Sequence, residues 1–453
     1  MPLVLGVDSS SAATTVELRD ADDGRPFGEG RAAHPTAATR VEHDPTEWWQ
    51  ALVEARHDAG GALGVASVAA VARASGLVLL DSEGRLVGPA HLGPDAAVAP
   101  DARRLEDELG ATEWAGAAGS VPHSALPIAK LAWLRRVDPD AYARVAWVLQ
   151  PSDWLTFRLS RRIVTDRGEA SRTGYWSPRD EVWRTDLLAL VDDAREWEPS
   201  LPGVLAPSEA AGDREGVLVA GGTGEPMAIA LGLGLETGDV VIDTDGAVFG
   251  LRTRPTADPS GAVAGYADAT GRYLPLVECV AAGAVADAFA AMLGIDRSRL
   301  DQLAQSAAPG AGGVMFLPPT RDTPGSLFGI RADVEPQEIA RAAVEGVACA
   351  LLDAVDALRS ADVPVGGRLF LVGSGTRAHT LRQAVADLSE RTVLVPRGDR
   401  GVLGACVQAA AVLHGCAPDA LATHWNLSDA REIQPDPRVD GGEIRAAWRD
   451  ATR

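Results

Sequence analysis

The chain has 453 residues, a formal net charge of −21 and a sequence pI near 4.8. Its hydrophobic fraction of 46% and mean hydropathy of +0.00 are typical of a folded soluble protein and exclude a disordered one. The acidic balance argues against nucleic acid and against an anionic membrane as the main partner, because both would repel such a surface. The length exceeds one ordinary hydrophobic core, so two domains are expected.

Four cysteines, Cys279, Cys349, Cys406 and Cys416, form neither a CxxC pair nor a metal-ligand spacing with a histidine. We therefore predict buried thiols at Cys349 and Cys406, no disulfide framework, and a reducing cytoplasm as the compartment. The first ten residues, MPLVLGVDSS, enter a strand directly and lack the pattern of a signal peptide. No apolar stretch approaches the roughly 20 residues that span a bilayer.

The first strands of the chain are predicted to form a hairpin. Residues 3–8 and 14–18 are apolar and β-branched, and the residues between them are all small. Backbone amides in such a turn can cradle an anion, and Asp8 at its base can hold a metal. An ordinary hairpin is the alternative. Further along, residues 65–81 predict two adjacent strands, 165–176 a polar loop, and 193–216 an irregular exposed segment.

Residues 217–250 predict a strand, a glycine-rich turn, an apolar helix, a second glycine-rich turn and another strand. Glu225 opens the helix, where its carboxylate would lie beside helix N-terminal amides. Asp243, Thr244, Asp245 and Gly246 form the second turn. The stretch therefore predicts a base and a phosphate-facing loop.

The second half repeats strand, loop and helix units. Long helices are predicted at 280–293 and 335–358, and a buried strand at 368–372 runs into a glycine turn and another helix. That unit suits a nucleotide or phosphate, although it is neither a Walker loop nor a full dinucleotide fingerprint. The pattern predicts an α/β protein with domains at 1–240 and 241–453. Each half begins with a strand and a small-residue turn, which favours duplicated domains facing one cleft.

Several segments together resemble the FGGY carbohydrate kinase family, and within that family they are most similar to the bacterial xylulokinases. They are PSDWLTFRLSRRIVTDRGEASRTGYWSP at 151–178, GTGEPMAIALGLGLETGDVV at 222–241, PTADPSGAVAGYADATGRYLPLVE at 255–278, GSGTRAHTLRQAVADL at 373–388 and GACVQAAAVLHG at 404–415. The resemblance covers nearly the whole length. It implies two actin-like (ribonuclease H-like) domains flanking a cleft, with ATP and Mg²⁺ as cofactors. It also implies phosphorylation of a sugar hydroxyl, as by an ATP:sugar phosphotransferase acting on a pentulose or a related sugar.

The resemblance assigns roles to residues at matching positions. Glu225 stands where the family has its catalytic aspartate, and Arg73, Ser75 and Asp95 fall at substrate-binding positions. Asp8 is also the position for a metal. The phosphate and ATP positions are Asp8, Ser9, Ser10, Ser11, Thr244, Gly246, Gly373, Gly375 and Gln383.

The chemistry-bearing segments depart from the family pattern more than the scaffold segments do. The usual Gln-Met-His or Gln-Gln-His of the sugar pocket reads Arg73-Ala74-Ser75 here, and Arg73 would suit an acidic substrate. Glu225 is one methylene longer than the family aspartate, and a shift of about 1 Å can cost roughly a hundredfold in rate. Asp243 and Asp245 replace Gly and Ser of the second phosphate loop. Two carboxylates there would repel a triphosphate unless a cation bridges them.

Three hypotheses follow from these departures. The first is an active sugar kinase with an altered pocket. The second is a non-catalytic paralogue, a pseudokinase that binds sugar or nucleotide as a sensor. The third is a partner subunit of a hetero-oligomer with an active kinase; a homodimer is the simpler assembly. The partners that the resemblance implies are a small-molecule sugar and ATP.

Overall fold

The structure is a computed structural model that describes residues 2–10, 12–36, 41–60, 64–73, 75–320, 323–427 and 429–451. Ser11, one of the predicted phosphate-binding residues, lies outside the described residues. The chain divides into two units. The first comprises Met1–Leu235, Thr253–Leu274 and Gly398–Ser428, and the second comprises Glu236–Arg252, Pro275–Arg397 and Asp429–Arg453. The two units interleave along the chain, and the simple boundary at 240/241 stays a prediction.

Strands occur in both units. In chain order they are β1 Leu3–Ser9, β2 Ala13–Asp20, β3 Pro26–Ala33, β4 Glu42–His43, β5 Ser67–Ala72, β6 Val78–Leu80, β7 Ala90–His91, β8 Trp147–Leu149, β9 Val164–Asp166, β10 Trp176–Ser177, β11 Val182–Trp183, β12 Gly203–Leu205, β13 Ala210–Arg214, β14 Val217–Ala220, β15 Thr223–Gly224, β16 Val240–Asp243, β17 Ala247–Gly250, β18 Ala264–Ala267, β19 Tyr273–Glu278, β20 Met315–Leu317, β21 Ser326–Phe328, β22 Leu369–Val372, β23 Val393–Pro396 and β24 Ala430–Ile433.

Helices also occur in both units. They are α1 Pro45–Asp58, α2 Ala99–Leu109, α3 Ala111–Ala118, α4 Pro127–Val137, α5 Pro139–Ala143, α6 Pro151–Ser160, α7 Arg167–Ser171, α8 Thr185–Ala189, α9 Glu225–Gly232, α10 Ala282–Leu293, α11 Arg297–Ser306, α12 Pro336–Ser360, α13 His379–Ser389, α14 Arg400–His414, α15 Pro418–His424 and α16 Gly441–Ala451. Short 3₁₀ turns span Glu198–Ser200, Ala311–Gly313 and Ser374–Arg377.

The first unit is built on a mixed sheet with the order β13-β14-β5-β1-β2-β3, to which β15 adds at the end of β5. β5 runs parallel to β1, β14 and β15, whereas β1 and β2 form the predicted antiparallel hairpin. β1 is buried from Val4 to Ser9, as expected of a strand covered on both faces. One covering layer is α14, whose small residues allow a very close approach to α9. A Cβ on Gly404 would overlap the carbonyl oxygen of Ala228, so this packing requires glycine.

The second unit has its own mixed sheet, in which the strand order runs β19-β17-β16-β22-β23-β24. β16 pairs in parallel with β22, so that Asp243 lies opposite Val372 at the carboxyl ends of the two strands. β16 and β17 form a hairpin, as β1 and β2 do in the first unit. In both units, therefore, a predicted phosphate turn joins the strands of a hairpin whose first strand has a parallel neighbour. The duplicated local topology follows the sequence pattern.

Three segments differ from their predicted structure. β6 pairs antiparallel with β8, with Val78 opposite Leu149, and not with β5. The predicted polar loop at 165–176 is a buried segment that contains β9 and α7, since its charged side chains find partners inside the unit. The predicted irregular segment at 193–216 contains β12, which pairs with β9, and β13.

Two global predictions can be compared with the described residues. Cys349 and Cys406 are buried free thiols, as predicted. Within the described ranges no single helix has the length and apolar composition to cross a membrane. α14 and α15 meet these two criteria only when they are taken together, and that pair is bent by 110°. The cytoplasmic location stays a prediction.

Candidate active site

Three predicted site segments meet at one edge of the first unit's sheet. β1 and β15 both pair in parallel with β5, so that Asp8 and Thr223 each lie level with Val71. Because parallel strands end at the same edge, the residues that follow them are brought together there. These are Ser10, Arg73 and Glu225. The topology thus assembles residues that the sequence separates by more than 200 positions.

The hairpin at the start of the chain holds Asp8 and Ser9 in a buried setting. Asp8 Oδ2 lies against Gly401, close enough that a Cβ on Gly401 would overlap it. Gly401 is in the first turn of α14, where backbone amides favour negative charge. Ser9 Oγ is 3.0 Å from Thr14 Oγ1, which in turn is 2.9 Å from His34 Nε2. The Ser9 hydroxyl is therefore part of a buried side-chain network.

The turn after β5 is held by buried cations. Ser75 has a left-handed backbone with a φ of 61° and is 3% exposed. Its carbonyl oxygen accepts a hydrogen bond of 2.6 Å from Lys130 Nζ, and its hydroxyl accepts one of 2.7 Å from Arg172 Nη2. Lys130 also donates to the His91 carbonyl at 3.2 Å. Sequence reasoning named Ser75 but missed Lys130 and Arg172.

Asp95 lies close to His91, whose carbonyl oxygen accepts from the same Lys130 that binds the Ser75 turn. Its Oδ2 is 3.9 Å from His91 Nδ1, and its Oδ1 accepts a hydrogen bond of 2.8 Å from the Ala97 amide. His91 also lies 3.3 Å from Glu42. Burial and then the Lys130 charge lower the pKa of His91. The Asp95 carboxylate is thus partly occupied within its own turn, and its substrate role stays a prediction.

Glu225 is the first residue of α9 and is partly exposed. The residue before the helix cap, Thr223, is buried and donates a hydrogen bond of 2.7 Å from Oγ1 to Asp166 Oδ2. Asp166 also caps α7 by accepting from the Glu169 amide at 2.8 Å. The strand that carries Glu225 is therefore fixed to α7. No local sequence signal indicates this link, because 57 positions separate Thr223 from Asp166.

Behind this link lies a cluster of buried carboxyl groups, Asp153, Asp166 and Glu169. Burial raises the pKa of Asp166 to about 6. Burial also raises the pKa values of Asp153 and Glu169, and the mutual repulsion of their charges raises that of Glu169 further. Ser152 Oγ donates to Glu169 Oε2 at 3.0 Å, while Glu169 Oε1 has no partner within the described ranges. These carboxyl groups therefore stay protonated up to a higher pH than exposed ones do.

The buried carboxyl cluster predicts a pH-dependent stability. Because these folded-state pKa values are raised, the stabilising contribution is complete at about pH 4 and is lost as the pH rises through about 6 and above. We expect Glu169→Gln to unfold at a higher temperature than the native chain at pH 8, by about 1–2 °C for each kcal/mol of unfolding free energy that the substitution restores. The gain should shrink towards pH 5. Thermal unfolding from pH 5 to pH 8 measures it.

The matched control for this prediction is Glu54→Gln, which removes the same charge from an exposed position on α1. Its unfolding temperature should follow that of the native chain at every pH. A Glu169→Gln variant that is less stable than the native chain at pH 8 would show that the glutamate is needed in its charged form.

In the second unit two predicted loops are joined by hydrogen bonds. Thr244 Oγ1 donates to the Val372 carbonyl at 2.8 Å and accepts from the Gly375 amide at 3.0 Å. Gly373 has a φ of 88°, and a Cβ there would lie 2.6 Å from Thr244 Oγ1. Glycine is therefore required at Gly373 both by conformation and by space. The structure brings Thr244, Gly373 and Gly375 together, as the predicted phosphate site requires.

Asp245 takes part in the same junction. Its carboxylate accepts hydrogen bonds from the Ser374 amide, at 2.8 Å, and from the Ser374 hydroxyl. An amide and a hydroxyl at the start of a 3₁₀ turn are typical donors to a phosphate. Here a carboxylate of the chain already accepts from them. The sequence indicated a charge in this loop but not its partner.

Gln383 lies on α13 and is engaged elsewhere. Its Nε2 donates to Asp387 Oδ1 at 2.8 Å and to the Gln434 carbonyl at 3.0 Å. These bonds tie α13 to the segment after β24. They do not bring the Gln383 amide group to the glycine loops, so an adenosine contact stays a prediction.

The fit of Mg²⁺ can be judged from the carboxylates present. Within the described ranges no group of three or more His, Cys, Asp or Glu side chains could hold a metal. Mg²⁺ in kinases is usually held by one or two carboxylates together with substrate phosphates and water. Asp8, near the end of β1, would supply one such carboxylate. The donor set fits a metal that arrives with the nucleotide.

The sequence matches a known family over most of its length. The profile described as "FGGY family of carbohydrate kinases, N-terminal domain" matches residues 23–234, and that of the C-terminal domain matches residues 244–413. The chain therefore belongs to the FGGY family of carbohydrate kinases. This confirms the predicted family and its two-domain α/β fold.

Individual relatives carry a more specific name. The chain is 39% identical over 451 residues to a xylulose kinase of Streptomyces coelicolor, covering 94% of this chain and 91% of the relative. A xylulose kinase of Haemophilus influenzae is 25% identical over 444 residues, 90% of each. The crystal structure of xylulose kinase from Bifidobacterium adolescentis is 29% identical, with a TM-score of 0.84 over 100% of this chain and 99% of that one. These likenesses assign no role to an individual residue.

Proposed function

We propose that this chain is a xylulose kinase, which transfers the γ-phosphoryl group of ATP to a hydroxyl group of D-xylulose or a related pentulose. The observation that carries the proposal is the placement of Glu225. It is a partly exposed carboxylate at the start of α9, at the strand edge where Arg73 and Ser10 also lie. The xylulose kinase relatives support the choice of sugar.

The reaction needs a base for the attacking hydroxyl group. In the proposed mechanism Glu225 accepts that proton. Its position is maintained by Thr223, whose hydrogen bond to Asp166 fixes the preceding strand. Asp166 is thus a positioning residue and does not itself touch substrate. Ser75, Arg73 and Asp95 would orient the sugar.

The reaction also needs donors for the phosphoryl oxygens. The amides of the turns at Ser9–Ser10 and Thr244–Gly246, with the Gly373–Gly375 loop, would bind ATP phosphates. Gln383 would serve the adenosine side. Asp8 would hold Mg²⁺, which when bound neutralises charge on the phosphates.

A second candidate function is a ligand-binding paralogue without turnover, either a sensor or a subunit of a larger kinase assembly. The specific observation in its favour is Asp245, whose carboxylate already accepts the Ser374 donors. A negative charge at that position opposes a triphosphate. Sugar binding in the first unit would be unaffected.

An ADP-release assay with ATP, Mg²⁺ and a panel of ketopentoses tests the proposal. A xylulose kinase gives ADP release that depends on D-xylulose. Binding without turnover would instead raise the unfolding temperature with sugar or ATP while no ADP forms. A stable complex with a co-expressed kinase would favour the subunit role. Absence of turnover with every sugar would overturn the kinase proposal.

A further inference from the structure

The turn at Ser75 is surrounded by positive charge. Arg172 is 5% exposed and donates to the Ser75 hydroxyl, and Lys130 is fully buried and donates to the Ser75 carbonyl. Arg73 lies two residues before Ser75. Its guanidinium group lies 3.4 Å from the position that a Cβ would occupy if Gly93 had one. Three cations thus lie at the turn that is predicted to contact the sugar.

Arg172 has unused hydrogen-bonding capacity although it is buried. Its Nε and Nη1 atoms have no partner within the described ranges, and the guanidinium group lies over the Tyr266 ring at 4.5 Å. A buried guanidinium group is always charged, and buried donors without acceptors are costly. The Arg73 guanidinium group likewise makes no hydrogen bond or ion pair with any residue that the structure describes. The guanidinium groups of Arg172 and Arg73 are therefore suited to bind an anion.

The acids nearby leave hydrogen-bond donors of Arg172 unpaired. Burial raises the pKa of Glu169 and the Arg172 charge lowers it, so the two groups attract each other, but within the described ranges they form no hydrogen bond. Asp95 and Glu42 direct carboxylate oxygens towards His91. The unpaired donors of Arg172 at the Ser75 turn therefore remain available for a ligand.

We infer that the sugar site accepts a carboxylated sugar, an aldonate, whose carboxylate binds Arg172 and Arg73 beside the Ser75 turn. This rests on the proposed function for the location of the sugar site, and it widens the class of sugar from ketopentoses to aldonates. A guanidinium group matches the carboxylate geometry, and hydrogen bonds between charged groups are stronger than those to neutral hydroxyls. An aldonate keeps the hydroxyl groups that a kinase phosphorylates.

The test compares D-xylonate, which has a carboxylate at C1 and a hydroxyl group at C2, with D-xylulose, which has a hydroxymethyl group at C1 and a ketone at C2. Binding to the full-length chain is measured by calorimetry without nucleotide, and ADP release is measured separately. We expect D-xylonate to bind about 10–100-fold more tightly than D-xylulose, as charged hydrogen bonds imply. Arg172→Gln should abolish this preference. D-Ribose 5-phosphate is included because a phosphate could use the same cations, and it should bind more weakly than D-xylonate.

Two further variants keep the result interpretable. Arg73→Gln changes a less buried side chain and should reduce the preference even if Arg172→Gln does not fold. Arg103→Gln removes the same charge from an exposed position on α2 and should leave the preference unchanged.

The outcomes separate this inference from the proposed function. Equal binding of both sugars, no binding of either, or tighter binding of the sugar phosphate overturns the inference, while turnover of D-xylulose would leave the proposed function intact. Preferred binding of D-xylonate without ADP release from any sugar supports the inference and contradicts the kinase proposal.

Discussion

Glu225→Gln is expected to lower sugar-dependent ADP release by about 10²–10⁴-fold, the usual contribution of a positioned general base. Gln keeps the size of the side chain and the start of α9 but cannot accept the hydroxyl proton. The loss should fall on kcat, because the substitution leaves Ser75, Arg73 and Arg172 in place for sugar binding. Steady-state kinetics with saturating ATP measure kcat and KM separately.

Two variants make this result specific. Glu113→Gln removes an exposed glutamate on α3 and should retain native kinetics. Glu225→Asp restores the aspartate of the family pattern and should keep more activity than Glu225→Gln, since a carboxylate remains. Native turnover by Glu225→Gln would exclude Glu225 as the base.

Asp245→Ser is expected to tighten ATP binding by about tenfold or more. The substitution removes a negative charge and frees the Ser374 amide and hydroxyl from the carboxylate that occupies them. Calorimetric titration with Mg²⁺ and ATP measures the Kd. The change would support the interpretation of Asp245 as an internal anion in the phosphate loop.

Charge and geometry at Asp245 can be separated. Asp245→Asn keeps an oxygen that accepts from Ser374 but removes the charge, and it should give part of the gain. Asp333→Ser, at an exposed acid before α12, controls for net charge. If Asp245→Ser folds normally and its Kd equals that of the native chain, repulsion by this residue does not limit nucleotide binding.

Much of the fold could be predicted because its signals are local. The hairpin at Asp8 and the strand before Gly373 are short apolar runs followed by small residues, and each occurs as predicted. Glu225 opens its helix as the glycine-rich turn before it indicated. The family resemblance then linked these separate signals to one kind of site.

The rest of the site depends on contacts that leave no local pattern. Arg172 reaches Ser75 across 97 positions, and Thr223 reaches Asp166 across 57. Asp245 and Ser374 are separated by 129. The segment from Asp166 to Arg172 is polar, which predicts a loop, yet it is buried because its charges meet partners from distant parts of the chain. Hydrophobic pattern alone cannot predict such burial.

The proposal that this chain phosphorylates a sugar is tested most directly by following the phosphoryl group itself. In a phosphorus NMR experiment the native chain, ATP and Mg²⁺ are mixed with D-xylulose or D-xylonate. Transfer predicts a sugar phosphate ester resonance that grows as ATP is consumed and is absent with Glu225→Gln. Unchanged ATP with both sugars, or conversion of ATP to ADP and inorganic phosphate alone, would contradict phosphoryl transfer to a sugar.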